Sequence, residues 1–237
     1  ARLRPLGYDT LAMETLLNPT PNMSARFLPP YIAHPDLPYL EDGDGNYLSE
    51  AGFGRLGRRA KALGYRFVSY EYNIYPDPAA ALPQDQRIAV REEAQATNLA
   101  SFLRAHPGVR LLVHVGYSHA GEVAQSGDRR WMAARLKQKT GIDPLTISQT
   151  TCSGGGTVTR LAALPGDKPA GTFDLVIDHP VERFVRGRPK WRSAGGDQLV
   201  DIPRKLRPIK GWRVIEARPV GEPTSSVPIT VPAPGLL

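Results

Sequence analysis

A long helical stretch that runs straight into an apolar strand constrains this chain more than any other feature. Over residues 83–105, Ile88, Ala89, Ala96, Leu99, Phe102 and Leu103 recur at helical spacing, and Pro107-Gly108 ends the pattern. Residues 109–115 (VRLLVHV) follow at once and read as a buried strand. The same alternation appears on either side. A helix tail ending at Gly7 precedes a strand over 8–14 (YDTLAME). A helix over 49–63, capped by Ser49 and stopped by Gly64, precedes a strand over 65–72 (YRFVSYEY). A helix over 129–139, closed by Gly141, precedes a strand over 145–150. This order predicts an α/β fold, a three-layer sandwich with a mainly parallel sheet and crossover helices. Residues 18–38 carry six prolines and read as a loop. After Thr151 the texture changes to a Ser-Gly-Gly-Gly turn at 153–156, strands over 173–178 and 212–217, and a Pro-rich tail. We therefore expect an α/β core over 1–152, with 153–237 adding strands and a basic, Pro-rich extension packed on the same domain.

The chain has 237 residues, 41% of them hydrophobic, which is enough for one sizeable core. No run approaches the roughly 18–20 apolar residues of a membrane-spanning helix. The single cysteine, Cys152, excludes an internal disulfide and a cysteine-based zinc cluster, and leaves the compartment open. The sequence opens at Ala1 without an initiator Met or a signal peptide, so further sequence is expected upstream. The net charge of +7 is concentrated between residues 180 and 213, where ten Lys or Arg face Glu182, Asp197 and Asp201. Trp191 and Trp212 lie in that strip, a combination that raises nucleic acid as a partner. Its prolines and the lack of any nucleic-acid-binding motif argue against that, and leave a small molecule or a peptide as the expected substrate.

Ligands of open parallel sheets bind beyond the carboxyl ends of the strands. The first predicted strand ends at Glu14, the second at Glu71, and the third runs into Gly116-Tyr117-Ser118-His119. Two carboxylates and a histidine on one edge suit a metal ion or acid–base work on water. His114 alternates with Val113 and Val115 and reads as a core histidine, whereas His119 reads as a loop residue with little packing role. Residues 42–46 (DGDGN) begin like a calcium loop but have Tyr47 and Phe53 where Gly and Glu belong, so a solvated turn is expected. Residues 116–120 (GYSHA) fall one residue short of a nucleophile elbow, which would make Ser118 the nucleophile of a serine esterase. An elbow needs a helix directly after the serine, and the next predicted helix waits until about residue 129.

Arg91 to Leu99 (REEAQATNL) resembles the R-D-x-x-M-A-x-N helix of erythromycin-esterase-like proteins, whose wider superfamily includes ChaN-like haem-uptake lipoproteins and Tiki/TraB proteins. Residues 6–14 and 64–71 resemble strands of the same sheet, and the resemblance covers about residues 3–150. It implies that Glu14 is the strand-end glutamate, Arg91 the helix arginine and His119 the late histidine. The family's H-N-x-H loop has its first histidine where this chain has Gly116, and its G-E-x-H strand is expected before Ala1. The implied function is a hydrolase. Glu14 and His119 activate water, with or without a divalent metal held by the same two residues. Arg91 orients a carboxylate or an oxyanion, and Glu71 assists. The alternative is a non-catalytic protein that binds haem or another small ligand through Tyr72, Tyr75 and Tyr117. The family likeness also implies a periplasmic or cell-surface location.

Overall fold

The computed structural model describes residues 2–19, 23–49, 51–72, 77–124, 127, 129–151, 157–181, 184–185 and 188–189. Three strands, β1 (Tyr8–Met13), β2 (Arg66–Ser69) and β3 (Arg110–His114), form a parallel sheet in the order β2-β1-β3. The fold is thus α/β with a parallel sheet, and all three strands deliver their carboxyl ends to one edge. A 3-10 turn over Arg4–Leu6 leads into β1, with Gly7 at φ +87 making the left-handed exit that favours glycine.

Side chains alternate across β1, and two cores follow from that alternation. Leu11 and Met13 pack with Leu16, Tyr31, Leu40, Leu48, Ala60 and Tyr65 on one face. That face is covered by α2 (Ala51–Ala62) and by the segment before it. Ala12 points the other way, towards Ala96, Leu99 and Ala100 of α3 (Gln84–Ala105) and Met132 and Leu136 of α4 (Met132–Thr140). Pro83 precedes α3 with its φ already near the helical value, Asp85 sits in the first turn, and Arg104 in the last complements the dipole. Asn98 of α3 donates to the carbonyls of Tyr70 (3.0 Å) and Glu71 (3.5 Å), so the helix fixes the chain just past β2.

A second sheet has the order β4-β6-β5, from β4 (Ile147–Thr151), β5 (Arg160–Ala162) and β6 (Leu175–Asp178). Strand β6 pairs parallel with β4 and antiparallel with β5, so the pairing crosses the boundary expected at residues 152–153. A short hairpin joins β7 (Phe184–Val185) to β8 (Arg188–Pro189). The rest of the basic strip, with Trp191 and Trp212, the strand expected over 212–217 and the Pro-rich tail, lies outside the described residues. Among the described residues no helix is long and apolar enough to cross a membrane.

Three expectations need correction. The Pro-rich stretch is not all loop, because it holds a 3-10 turn over Ala25–Phe27 and the short helix α1 (Pro30–Ala33). The segment 42–46 is no solvated turn. Asp44 is only 1% exposed and its carboxylate accepts from the amides of Tyr31 (2.5 Å) and Glu41 (2.7 Å), tying α1 to the loop before α2. The two histidines are also reversed. His114 closes β3 at the surface with its ring edge-on to Phe53, while His119 is buried at 9% exposure. His119 goes under because the chain after β3 folds into a 3-10 turn (Tyr117–Ala120), carrying the ring edge-on against Trp131.

Candidate functional site

Glu14 follows the last residue of β1, Glu71 lies two residues past β2, and His119 lies in the turn after β3, all at the same sheet edge. Arg91, one turn further into α3 than Arg87, reaches over that edge and is their common partner. Its Nε donates to Glu71 Oε1 at 2.9 Å, and its Nη2 donates both to Glu71 Oε2 and to Glu14 Oε1, the latter at 2.6 Å. The fork-to-carboxylate match with Glu71 is the strongest geometry an ion pair offers. Gln95, one turn on from Arg91, donates to Glu71 Oε2 at 3.0 Å, and the Gly116 amide donates to Glu14 Oε2 at 2.6 Å. All four residues expected to carry the chemistry are brought together.

The environment of His119 has two halves. Its Nε2 lies 3.2 Å from Arg91 Nη1 and 3.5 Å from Glu14 Oε1. Its Nδ1 lies 2.5 Å from Oε1 of Glu92, close enough for an ion pair, although the N–H is bent away from hydrogen-bond alignment. Burial alone pushes the imidazole pKa down, but Glu14 and Glu92 outweigh it and hold the ring up at about 9. Burial likewise raises Glu14, yet His119, the Gly116 amide and Arg91 bring it down to about 2. The two halves exclude one another in detail. A neutral ring protonated at Nδ1 accepts from Arg91 through Nε2. A doubly protonated ring sets donor against donor there, and Nε2–H then serves Glu14.

Glu92 is the site residue that the sequence reading missed. It is 1% exposed, and its Oε2 accepts from the amide of Met132 at 2.7 Å, at the first turn of α4. The signal was present in the helical period. Positions 92, 95, 96 and 99 make one buried stripe of α3, and the polar Glu92 and Gln95 sit in it beside Ala96 and Leu99.

Gly116 is where the two glutamate-side contacts leave no room. A Cβ added there meets Glu14 Oε2 at 3.2 Å and His119 Cδ2 at 3.3 Å. Ser118 lies in the 3-10 turn Tyr117–Ala120, and among the described residues the next α-helix begins at Met132. Tyr72 lies at the rim, donating from its hydroxyl to Asp77 Oδ1 at 2.7 Å. The side chain of Tyr117 and the whole of Tyr75 fall outside the described residues. His179 stands beyond β6 in the other sheet, 3.4 Å from Thr159 Oγ1, and His106 caps α3 against the Phe102 carbonyl.

A cleft of about 280 Å³ opens beside Arg91, with Tyr72, Asp77, Ala79, Arg87 and Ile88 among its walls. That is just under the roughly 300–1,000 Å³ of pockets for drug-sized ligands, and it suits a small substrate group better than a porphyrin. The residues do not fit the divalent metal expected on Glu14 and His119. The space between Glu14 and Glu71 is taken by the Arg91 guanidinium, and both Glu14 oxygens are engaged. Among the described residues no group of three or more His, Cys, Asp or Glu side chains is arranged to hold a metal ion. Set against known proteins, the chain matches no family model, no curated protein and no solved structure.

Proposed function

We propose that the protein is a hydrolase of the type its sequence resembles, built as a three-layer α/β sandwich of the erythromycin-esterase/ChaN/Tiki kind. The observation that carries this reading is the convergence of Glu14, Glu71 and His119 at the carboxyl edge of the sheet on Arg91, which also lines a cleft. In this reading the attacking water displaces Arg91 Nη1 from Nε2 of neutral His119 and gives up its proton there, and Glu14 stabilises the imidazolium that results. Arg91, 37% exposed towards the cleft, meets the substrate oxygen on which negative charge develops, and Glu71 holds the guanidinium in place. A ring held at about 9 is mostly charged near neutrality, so base catalysis strengthens as pH rises through that value.

The test is a panel of small carboxylic esters and amides offered to the protein across neutral to alkaline pH. Turnover is expected to climb towards pH about 9 and to vanish in His119→Gln. A rate that falls over that range sinks the base assignment. Labelling of Ser118 by a fluorophosphonate would replace it with the serine-esterase mechanism.

One observation favours a second reading, a binding protein without turnover: Glu14, Glu71 and Arg91 satisfy one another's hydrogen-bonding needs. Calorimetric binding of a small carboxylate, with no hydrolysis of any ester in the panel, would select it.

A further inference from the structure

We infer that Glu92 is a positioning residue for His119, fixing the proton on Nδ1 so that the Nε2 lone pair faces Glu14 and Arg91. This deepens the hydrolase reading and rests on it for its purpose, but its test needs no substrate.

The geometry follows from the helix. Residues 91 and 92 are neighbours on α3, about 100° apart around the axis. Arg91 therefore reaches the strand ends, while Glu92 turns to α4 and the underside of the His119 ring. A carboxylate that is 1% exposed is costly unless its charge is answered, and each oxygen of Glu92 has a partner in reach. Oε2 takes the Met132 amide, where the N-terminus of α4 adds favourable partial charge. Oε1 lies 2.5 Å from Nδ1. One side chain thus ties the imidazole to the start of a helix, at the ring nitrogen away from Arg91 and Glu14. Trp131, the residue before α4, packs its ring edge-on to the same imidazole. The groups facing His119 are then Glu92 from α3 on one side and Arg91 of α3 with Glu14 of β1 on the other. Of these, Arg91 lines the cleft. An unconstrained imidazole has no such preference for Nδ1–H, and a ring carrying its proton on Nε2 would point a donor at the Arg91 guanidinium.

The experiment is a long-range ¹H–¹⁵N correlation spectrum of the labelled protein, recorded on the alkaline side of the His119 titration, where nitrogen shifts report the tautomer. In the wild type the Nδ1–H form is expected to exceed the Nε2–H form by about tenfold or more, the bias a charge-assisted contact supplies. Glu92→Met, which keeps the volume and removes the acceptor, is expected to weaken that bias at least several-fold, leaving the share that the Arg91 donor supplies. Glu93→Gln, next in sequence but paired with Arg135 and Lys139 at the surface, is expected to preserve it. A wild-type ring protonated on Nε2 overturns the inference whether or not any variant folds. So does a folded Glu92→Met whose tautomer ratio equals that of the wild type. Loss of ester hydrolysis from the wild type alone would touch the hydrolase reading and leave the tautomer result standing.

Discussion

Two carboxylate clusters touch opposite ends of α4, and the same residue type behaves oppositely in them. At the N-terminal end, Glu14, Glu71 and Glu92 surround Arg91 and His119. Towards the C-terminal end, Glu122, Asp143 and Asp174 gather about Lys137 and Thr146. Burial pushes both Glu14 and Glu122 towards protonation. Glu14 nevertheless falls to about 2, because two cations and a backbone amide converge on it. Glu122 stays raised: Thr146 and Lys137 do not offset its burial and the repulsion of Asp174. Burial does not decide the outcome here; the ratio of cations to carboxylates does.

Removing Arg91 should break that comparison most severely. Arg91→Met leaves Glu14 and Glu71 facing each other without a cation. A fully buried pair broken in this way costs ~3–5 kcal/mol. Because Arg91 is 37% exposed, we expect about 2–3 kcal/mol, read as a lowered urea midpoint. A variant as stable as the wild type would show that the two carboxylates never depended on the arginine.

Next in size is the pair of histidines. His119→Ala empties a buried site against Trp131 and should cost about 2 kcal/mol, whereas His114→Ala at the exposed strand end should cost about 0.5 kcal/mol. Equal effects in thermal unfolding would remove the burial contrast between them.

A third test contrasts pH dependence. The raised pKa of His119 gives stability that is complete below about 6.5 and lost as pH rises through about 9. The lowered pKa of Glu14 gives stability present above about 4.5 and lost as pH falls towards about 2. The melting temperature of the wild type should therefore decline from pH 6.5 to above 9, and His119→Gln should flatten that limb. An alkaline limb equally steep in the variant would assign the loss to other groups. The smallest effect is expected at the other cluster. Glu122→Gln removes a carboxylate whose charged form the fold disfavours, so stability near neutrality should hold or rise, within about 1 kcal/mol. A loss as large as that of Glu14→Gln would erase the contrast between the clusters.

The convergence of Glu14, Glu71 and His119 was legible because parallel strands deliver their ends to one edge, and three strands with two connecting helices could be read from periodicity alone. Arg91 was not legible that way. Only the family-like REEAQATNL segment pointed to it, since an arginine on an amphipathic helix ordinarily reads as solvated. Glu92 escaped for the same reason, although its place in the Ala96–Leu99 stripe marked it. The burial of His119 and of Asp44 escaped because short 3-10 turns carry no periodic signal, and a polar residue in a turn looks solvated until its amide partners are known. The separate second sheet escaped because periodicity marks where strands lie and not which strands pair.

The crowding at Gly116 has a mutational consequence. The amide of residue 116 holds Glu14 Oε2, and a Cβ at that residue would press on both the carboxylate and the His119 ring. A side chain at 116 and the present seat of Glu14 are thus competing uses of one space. The two positions are coupled: a side chain at 116 requires Glu14 or His119 to give way by a few tenths of an ångström, so changes at 116 and 14 should be non-additive.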